Sequence, residues 1–297
     1  MEVFTEPGAP LLRDPGDVRI RDLPECSWAS IVGIPWDWSV TGRPGARMAP
    51  ARIRGFLYSY TPHNISLGEL GCRPRDWGDV RVAPGDWAAT RGRIREAART
   101  VWENGSVAVF LGGDHSVTEP ILDALDGDGL GLVVLDHHYD LRSTSEGLTS
   151  GSWLYNVLSR RRIPTLVIGV GDYANPPYLR RRAEDLGVRV VPASEASSES
   201  VYSVIDSHLD DVDRVYISVD MDHIDQAYAP GVNSPAVLGM DPWTTLKILH
   251  HITSRASVVG VDIVEVTPPL DRGDSTSRLA AKIALYMLHW LEAGRDA

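Results

Sequence analysis

A series of short apolar runs, each followed by a longer stretch of helical period, constrains this chain more than any other feature. The runs are residues 30–34, 107–111, 132–135, 166–170, 188–191, 215–219 and 258–264. Each is apolar at consecutive positions, as a strand of a parallel sheet must be when helices cover both its faces. Between them, residues 88–104 carry the helical stripe Ile94, Ala97, Ala98 and Val101, and residues 153–162 follow a Ser/Gly turn. Residues 242–255 open with Asp241 as N-cap and a proline at the first helical position. The last helix, 277–293, contains Arg278, Lys282, His289 and Glu292 and is therefore amphipathic. This alternation predicts a three-layer α/β/α sandwich with a largely parallel central sheet. No repeat, low-complexity tract or long polar linker interrupts it, so residues 1–297 read as one domain, with 1–28 as an irregular N-terminal extension.

In open parallel sheets, ligands bind outside the carboxyl ends of the strands. Here those ends read Gly112-Gly113-Asp114-His115-Ser116, Asp136-His137-His138-Tyr139-Asp140, Asp220-Met221-Asp222-His223-Ile224-Asp225 and Glu265-Val266-Thr267-Pro268-Pro269. On an extended segment, residues two apart share a face, which groups Asp136, His138 and Asp140, and likewise Asp220 and Asp222. Carboxylates converging on one crevice repel one another unless a cation sits among them. Mixed carboxylate and imidazole ligands without thiolate suit Mn²⁺ or a similar ion better than a structural zinc. Their number suggests a pair of metals sharing bridging carboxylates. Other residues have plainer readings. Asp114 and Asp225 fit caps or turns. His63, His208, His250, His251 and His289 fit hydrogen-bonded structural positions, and His137 and His223, at odd offsets, point away from the cluster.

Composition narrows the partners. With 40 acidic and 29 basic side chains the formal charge is -11, which argues against a nucleic-acid surface. No apolar stretch reaches the length of about 20 residues that a membrane-spanning helix requires. The N-terminus lacks the cationic start and apolar middle of a secretory signal. Cys26 and Cys72 are too few for a disulfide framework and are expected to be two thiols in a reducing cytoplasm.

At these residues the chain resembles the ureohydrolase superfamily of arginases, agmatinases, guanidinobutyrases, proclavaminate amidinohydrolases and formimidoylglutamases. The resemblance lies in Gly113-Asp114-His115-Ser116, in Asp136-x-His138-x-Asp140, and in Ser218-Val219-Asp220-Met221-Asp222-His223-Ile224-Asp225, continuing into Ala229-Pro230-Gly231. Upstream, Gly33-Ile34-Pro35-Trp36-Asp37 and Arg43-Pro44-Gly45-Ala46 are similar to the superfamily's N-terminal segment. The resemblance implies two Mn²⁺ per chain, held by His115, Asp136, His138, Asp140, Asp220 and Asp222, with Asp136 and Asp220 bridging. It implies that a hydroxide between the metals attacks an amidine or guanidine carbon, and that Asp140 carries its proton to the departing nitrogen. Glu265 would pair with the substrate cation. A trimer or hexamer of identical chains is implied as well.

Within the superfamily, arginases and agmatinases carry a His-Gly dipeptide beyond the Asp-x-His-x-Asp run; here Ser150-Gly151 stands in its place. Asp140-Leu141-Arg142 and Ser150-Gly151-Ser152 are instead similar to the formimidoylglutamase pattern. That implies formimidoylglutamate as substrate, with Arg142 clamping a carboxylate and Ser150, Gly151 and Ser152 at the substrate. Three features depart from the pattern: Trp153 where a proline is expected, Gln226 where another is usual, and His137 in place of a small residue. Trp153 is expected to narrow the pocket or stack on a planar cation. The alternatives are a guanidino substrate releasing urea and a non-catalytic relative that binds ligand. A single-zinc deacetylase on a related fold fits less well, because it needs fewer carboxylates.

Overall fold

The computed structural model describes residues 16–125, 127–145 and 147–296. In chain order its elements are β1 (Glu25–Gly33), α1 (Ala49–Leu57), β2 (His63–Asn64), β3 (Gly68–Glu69), β4 (Arg73–Asp79), α2 (Trp87–Glu103), β5 (Val107–Leu111), α3 (Thr118–Leu122) and β6 (Leu130–Leu135). There follow α4 (Trp153–Leu158), β7 (Thr165–Val170), α5 (Pro177–Leu186), β8 (Arg189–Pro192), α6 (Ser200–Leu209), β9 (Arg214–Asp220), α7 (Pro242–Arg255), β10 (Ser257–Val264) and α8 (Ser275–Asp296). Apart from the small β2–β3 hairpin, the strands form one 8-stranded sheet in the order β4-β1-β5-β10-β9-β6-β7-β8. Its pairings are all parallel.

The expected three layers follow from the alternation of side chains along each strand. Val109, Val133, Ile217 and Val261 point to one face, where α1, α6, α7 and α8 pack. Phe110, Leu132, Val134 and Val264 point to the other, beneath α2, α3, α4 and α5. Burying each such aliphatic side chain stabilises the fold by about 1.5–3 kcal/mol. Among the buried polar residues on these strands are Ser218 on β9 and Asp262 on β10, both fully buried and paired in register.

Three sequence expectations are corrected. Cys26 and Cys72 are joined in a disulfide, with Cα atoms 5.3 Å apart, rather than standing as free thiols. They are 46 residues apart in sequence, and the β1–β4 register, which sets Glu25 beside Arg73, brings them together. The cysteine count therefore gives no argument for a reducing compartment. Of the N-terminal extension expected over residues 1–28, residues 1–15 lie outside those described, and β1 already begins at Glu25. Edge strand β4 lies outside the apolar runs named above; it carries Pro74, which an edge position tolerates. Finally, α4 stops at Leu158 rather than residue 162. Among the described residues no helix is long and apolar enough to cross a membrane.

Candidate metal centre

Strands β5, β10, β9 and β6 are consecutive neighbours in the sheet, so the carboxylate- and imidazole-bearing ends predicted from sequence emerge side by side. After β5 the chain turns through Gly113, where a Cβ would lie 1.7 Å from the Trp36 carbonyl oxygen, so only glycine permits the approach. Asp114 then caps the turn His115–Val117: its carboxylate accepts from the backbone N–H of Ser116 and of Ser39, both at 3.0 Å. That turn aims His115 into the crevice. On β9, Asp220 Oδ1 accepts the Asp222 N–H at 2.8 Å, which sets both aspartates.

The cluster after β6 is assembled differently from the extended segment expected. Asp136 Oδ1 turns back to accept the His138 N–H at 2.6 Å, and Asp140 sits in the left-handed region at φ 50°. Period-two spacing grouped the correct residues, but a tight loop brings them together. Glu265 also lies in the left-handed region, at φ 63°; its N–H donates to Gly113 O and its Oε1 accepts the His115 N–H, both at 2.9 Å. Left-handed backbone at non-glycine residues is a strain typical of functional sites.

Two groups result, one of His115, Asp136, Asp140 and Asp220, the other of Asp136, His138 and Asp222. Within each, the ligand atoms lie within 4.8 Å of one another. His115 Nδ1 is 3.2 Å from Asp136 Oδ2, 3.1 Å from Asp140 Oδ2 and 2.9 Å from Asp220 Oδ2. His138 Nδ1 is 3.5 Å from Asp136 Oδ1 and 3.1 Å from Asp222 Oδ2. Asp136 thus belongs to both groups. Asp220 falls in the first group, and its other oxygen accepts the Asp222 N–H.

The electrostatics are those of a crowded anionic cup. Burial, and then the neighbouring Asp222 and Asp136 charges, push Asp220 well above the carboxylate range. Burial and the Asp136 charge bring Asp140 to about 6. Asp136 moves the other way: burial opposes it, but the facing imidazoles of His115 and His138 hold it low. Burial disfavours a charged imidazole, yet the facing carboxylates hold His115 and His138 well above the ordinary value. His115 Nδ1 and Asp136 Oδ2 are buried without a hydrogen-bond partner. Orphaned donor atoms converging from several sides, all nitrogen and oxygen, fit a divalent cation in each group.

Behind the cup lies a relay that the sequence reading missed. His115 Nε2 meets Ser218 Oγ at 2.9 Å, and Ser218 donates to Asp262 Oδ1 at 2.6 Å. Asp262 Oδ2 accepts from Tyr216 and Thr118. With Ser218 committed as donor to Asp262, its oxygen accepts from Nε2–H, leaving a lone pair on Nδ1 for a metal. A lone serine and a lone aspartate in otherwise apolar strands were the available signal.

The cup opens into a cleft of about 220 Å³ whose lining includes His138, Asp140, Arg142, Ser150, Gly151 and Glu265. Glu265 Oε2 is buried without a partner. The Arg142 side chain makes no ion pair or hydrogen bond among the described residues, while its backbone N–H holds Gly151 O at 2.9 Å. Asn233, also on the cleft, is held by Arg43, whose side chain donates to the Asn233 and Val232 carbonyls. Two expected substrate residues are elsewhere. Ser152 is fully buried and accepts the Thr149 N–H, closing the turn. Trp153 neither narrows the cleft nor stands free to stack on a ligand: it is buried, and its indole N–H donates to Asp140 Oδ2 at 2.8 Å. His137 and His223 join neither group, as expected; the His223 ring meets the Asp220 carbonyl and Thr245 Oγ1.

Comparison with known proteins places this geometry among relatives. The model of the arginase family matches residues 28–289. The chain is 31% identical to a formimidoylglutamase of Halalkalibacterium halodurans, over 87% of this chain and 85% of that protein. It is 34% identical to a mitochondrial agmatinase of Gallus gallus, over 88% of this chain and 80% of that one. Among solved structures, a formimidoylglutamase from Bacillus subtilis superposes with a TM-score of 0.91 at 25% identity, covering 98% of this chain and 96% of that one.

Proposed function

The chain belongs to the arginase family, metal hydrolases acting on linear amidines, and from that premise we propose that its substrate is N-formimidoylglutamate, cleaved to glutamate and formamide. The observation that carries this reading is the pairing of opposite charges across one cleft. Glu265 offers an unpartnered oxygen at the base, and Arg142 offers a guanidinium without an ion pair among the described residues at the rim. A substrate with an amidinium at one end and carboxylates at the other answers both. Ser150 supports it further, since a hydroxyl in the position of the arginase and agmatinase histidine cannot shuttle protons near neutral pH.

The residues divide the work as follows. His115, Asp136, Asp140 and Asp220 would hold one Mn²⁺, and Asp136, His138 and Asp222 the other, with Asp136 between them. Bound there, the ions supply an activated water at neutral pH and stabilise negative charge as it develops on the substrate. Glu265 Oε2 binds the amidinium and orients its carbon toward the cup. Asp140 has Oδ2 engaged by His115 and Trp153, whereas Oδ1 has no hydrogen-bond partner among the described residues. Oδ1 takes the proton of the attacking water and delivers it to the glutamate nitrogen as the C–N bond breaks. Arg142 binds a carboxylate of the departing glutamate portion. Assembly as a homo-oligomer, a trimer or hexamer, belongs to the same proposal.

A guanidino substrate releasing urea is the second reading, favoured by the comparable 34% identity to the Gallus gallus agmatinase. The deciding experiment supplies Mn²⁺ and measures glutamate, formamide and urea from formimidoylglutamate, agmatine, guanidinobutyrate and arginine. Formimidoylglutamate should lead agmatine in kcat/KM by about 10- to 100-fold, the worth of the one charged contact to Arg142 that agmatine, without a carboxylate, does not make. Arg142→Ala should remove about 10- to 100-fold of that lead. Urea released from a guanidino compound at a higher kcat/KM would establish the second reading instead.

A further inference from the structure

Trp153 opens α4, and it touches two members of the first metal group at once. Its indole N–H donates at 2.8 Å to Asp140 Oδ2, the oxygen that lies 3.1 Å from His115 Nδ1. Its ring rests against the His115 imidazole, with centroids 4.6 Å apart and planes 35° from parallel. It is wholly buried, so the contact is shielded from competing water. The terminal torsion of an aspartate is broad and nearly two-fold, so packing alone does not decide which oxygen faces inward; a single directed donor does. The backbone is pinned as well: the Tyr155 N–H donates to Asp140 O, and the Arg142 N–H to Gly151 O. In the second group the donors to the carboxylates are backbone N–H groups, His137 to Asp222 Oδ1 at 3.4 Å and His138 to Asp136 Oδ1 at 2.6 Å, and among the described residues the His138 ring meets the His137 imidazole edge-on rather than an indole.

We propose that Trp153 is a positioning residue for the metal held by His115, Asp136, Asp140 and Asp220: its N–H directs Asp140 Oδ2 to that ion and keeps Oδ1 free for the reacting proton. The inference rests on the binuclear reading above, and it assigns a role to the residue that departs from the formimidoylglutamase pattern. It also requires an asymmetry, because removing the donor weakens one ion and spares the other. Partners that orient ligands in this way commonly govern metal affinity by about 10- to 100-fold.

The test titrates Mn²⁺ into metal-stripped parent, Trp153→Phe, and protein carrying 3-benzothienylalanine at position 153, which keeps the ring shape but has sulfur where the indole has N–H. Free and bound manganese are measured directly, and electron paramagnetic resonance distinguishes isolated from spin-coupled ions. In both altered proteins the Kd of one ion should rise about 10- to 100-fold while the other stays within about twofold. At limiting metal the coupled signal of the parent should give way to that of isolated ions. The benzothienyl protein decides the matter if Trp153→Phe does not fold. Parent-like affinities for both ions in that protein, or equal weakening of both, would overturn the role of Trp153. A parent that binds no pair of ions would overturn the binuclear reading itself, and this inference with it.

Discussion

Asp136 carries the heaviest duty of any side chain in the site, because its two oxygens face different imidazoles: Oδ2 is 3.2 Å from His115 and Oδ1 is 3.5 Å from His138. Asp136→Asn should therefore release both ions and lower the rate by more than about 10³-fold, whereas Asp220→Asn should release first the ion beside His115. Metal counted per chain after gel filtration checks this, and an Asp136→Asn protein that retains two ions would refute the shared position. Glu265→Gln should leave metal content unchanged and lower kcat/KM by about 100-fold, the loss of a charged contact to the substrate. An unchanged kcat/KM would remove Glu265 from substrate recognition. Five of the six metal-facing residues were grouped by period-two spacing at strand ends, which survives the actual loop geometry, while His115 was legible only through the family resemblance. The Trp153 contact was not, since it depends on how a turn thirteen residues downstream of Asp140 folds back.

Among the elements, α7 was the most readable: its limits, Pro242–Arg255, and its Asp241 cap agree with expectation. Asp241 accepts from the N–H groups of Trp243 and Thr244 at 2.9 and 3.1 Å. Asp241→Ala should cost about 1 kcal/mol, seen as a melting temperature lower by about 2–4 °C with kcat unchanged. No shift would mean that the cap is redundant. Strands buried on both faces announce themselves by continuous apolar runs, which is why β5 was placed to the residue. β4 lacks that signature because a sheet edge buries little of it. The Ser218–Asp262 contact across β9 and β10 needed the strand order, which sequence spacing does not contain.

At the scale of the whole molecule, the parallel sheet places four strand ends together and so concentrates negative charge that folding alone does not favour. In the metal-free protein, burial and neighbouring charges raise Asp140 to about 6 and push Asp220 and Glu265 well up. Despite burial, the facing carboxylates hold His115 and His138 well above the ordinary imidazole value. Between about pH 6.5 and 8.5 the folded state therefore binds more protons than the unfolded chain, and its stability falls as pH rises. His208 and His223, held near about 4 by burial, act in the opposite sense only below the unfolded imidazole value of about 6.5. Protein stripped with chelator should thus melt at lower temperature at pH 8.5 than at 6.5, and added Mn²⁺ should restore the loss. A melting temperature independent of both pH and metal would contradict the crowded-anion picture. The layered architecture was legible because alternation of apolar runs and helical stripes is a whole-chain property. The Cys26–Cys72 bridge was not, because it depends on a register between strands distant in sequence.

The binuclear centre is tested most directly by anomalous diffraction at the manganese edge from crystals grown with Mn²⁺. The expected result is two peaks about 3.5–4 Å apart, one against His115 and Asp140 and the other against His138 and Asp222, with Asp136 between them. A cup that stays empty at saturating manganese, or that holds a single ion away from Asp136, would contradict it.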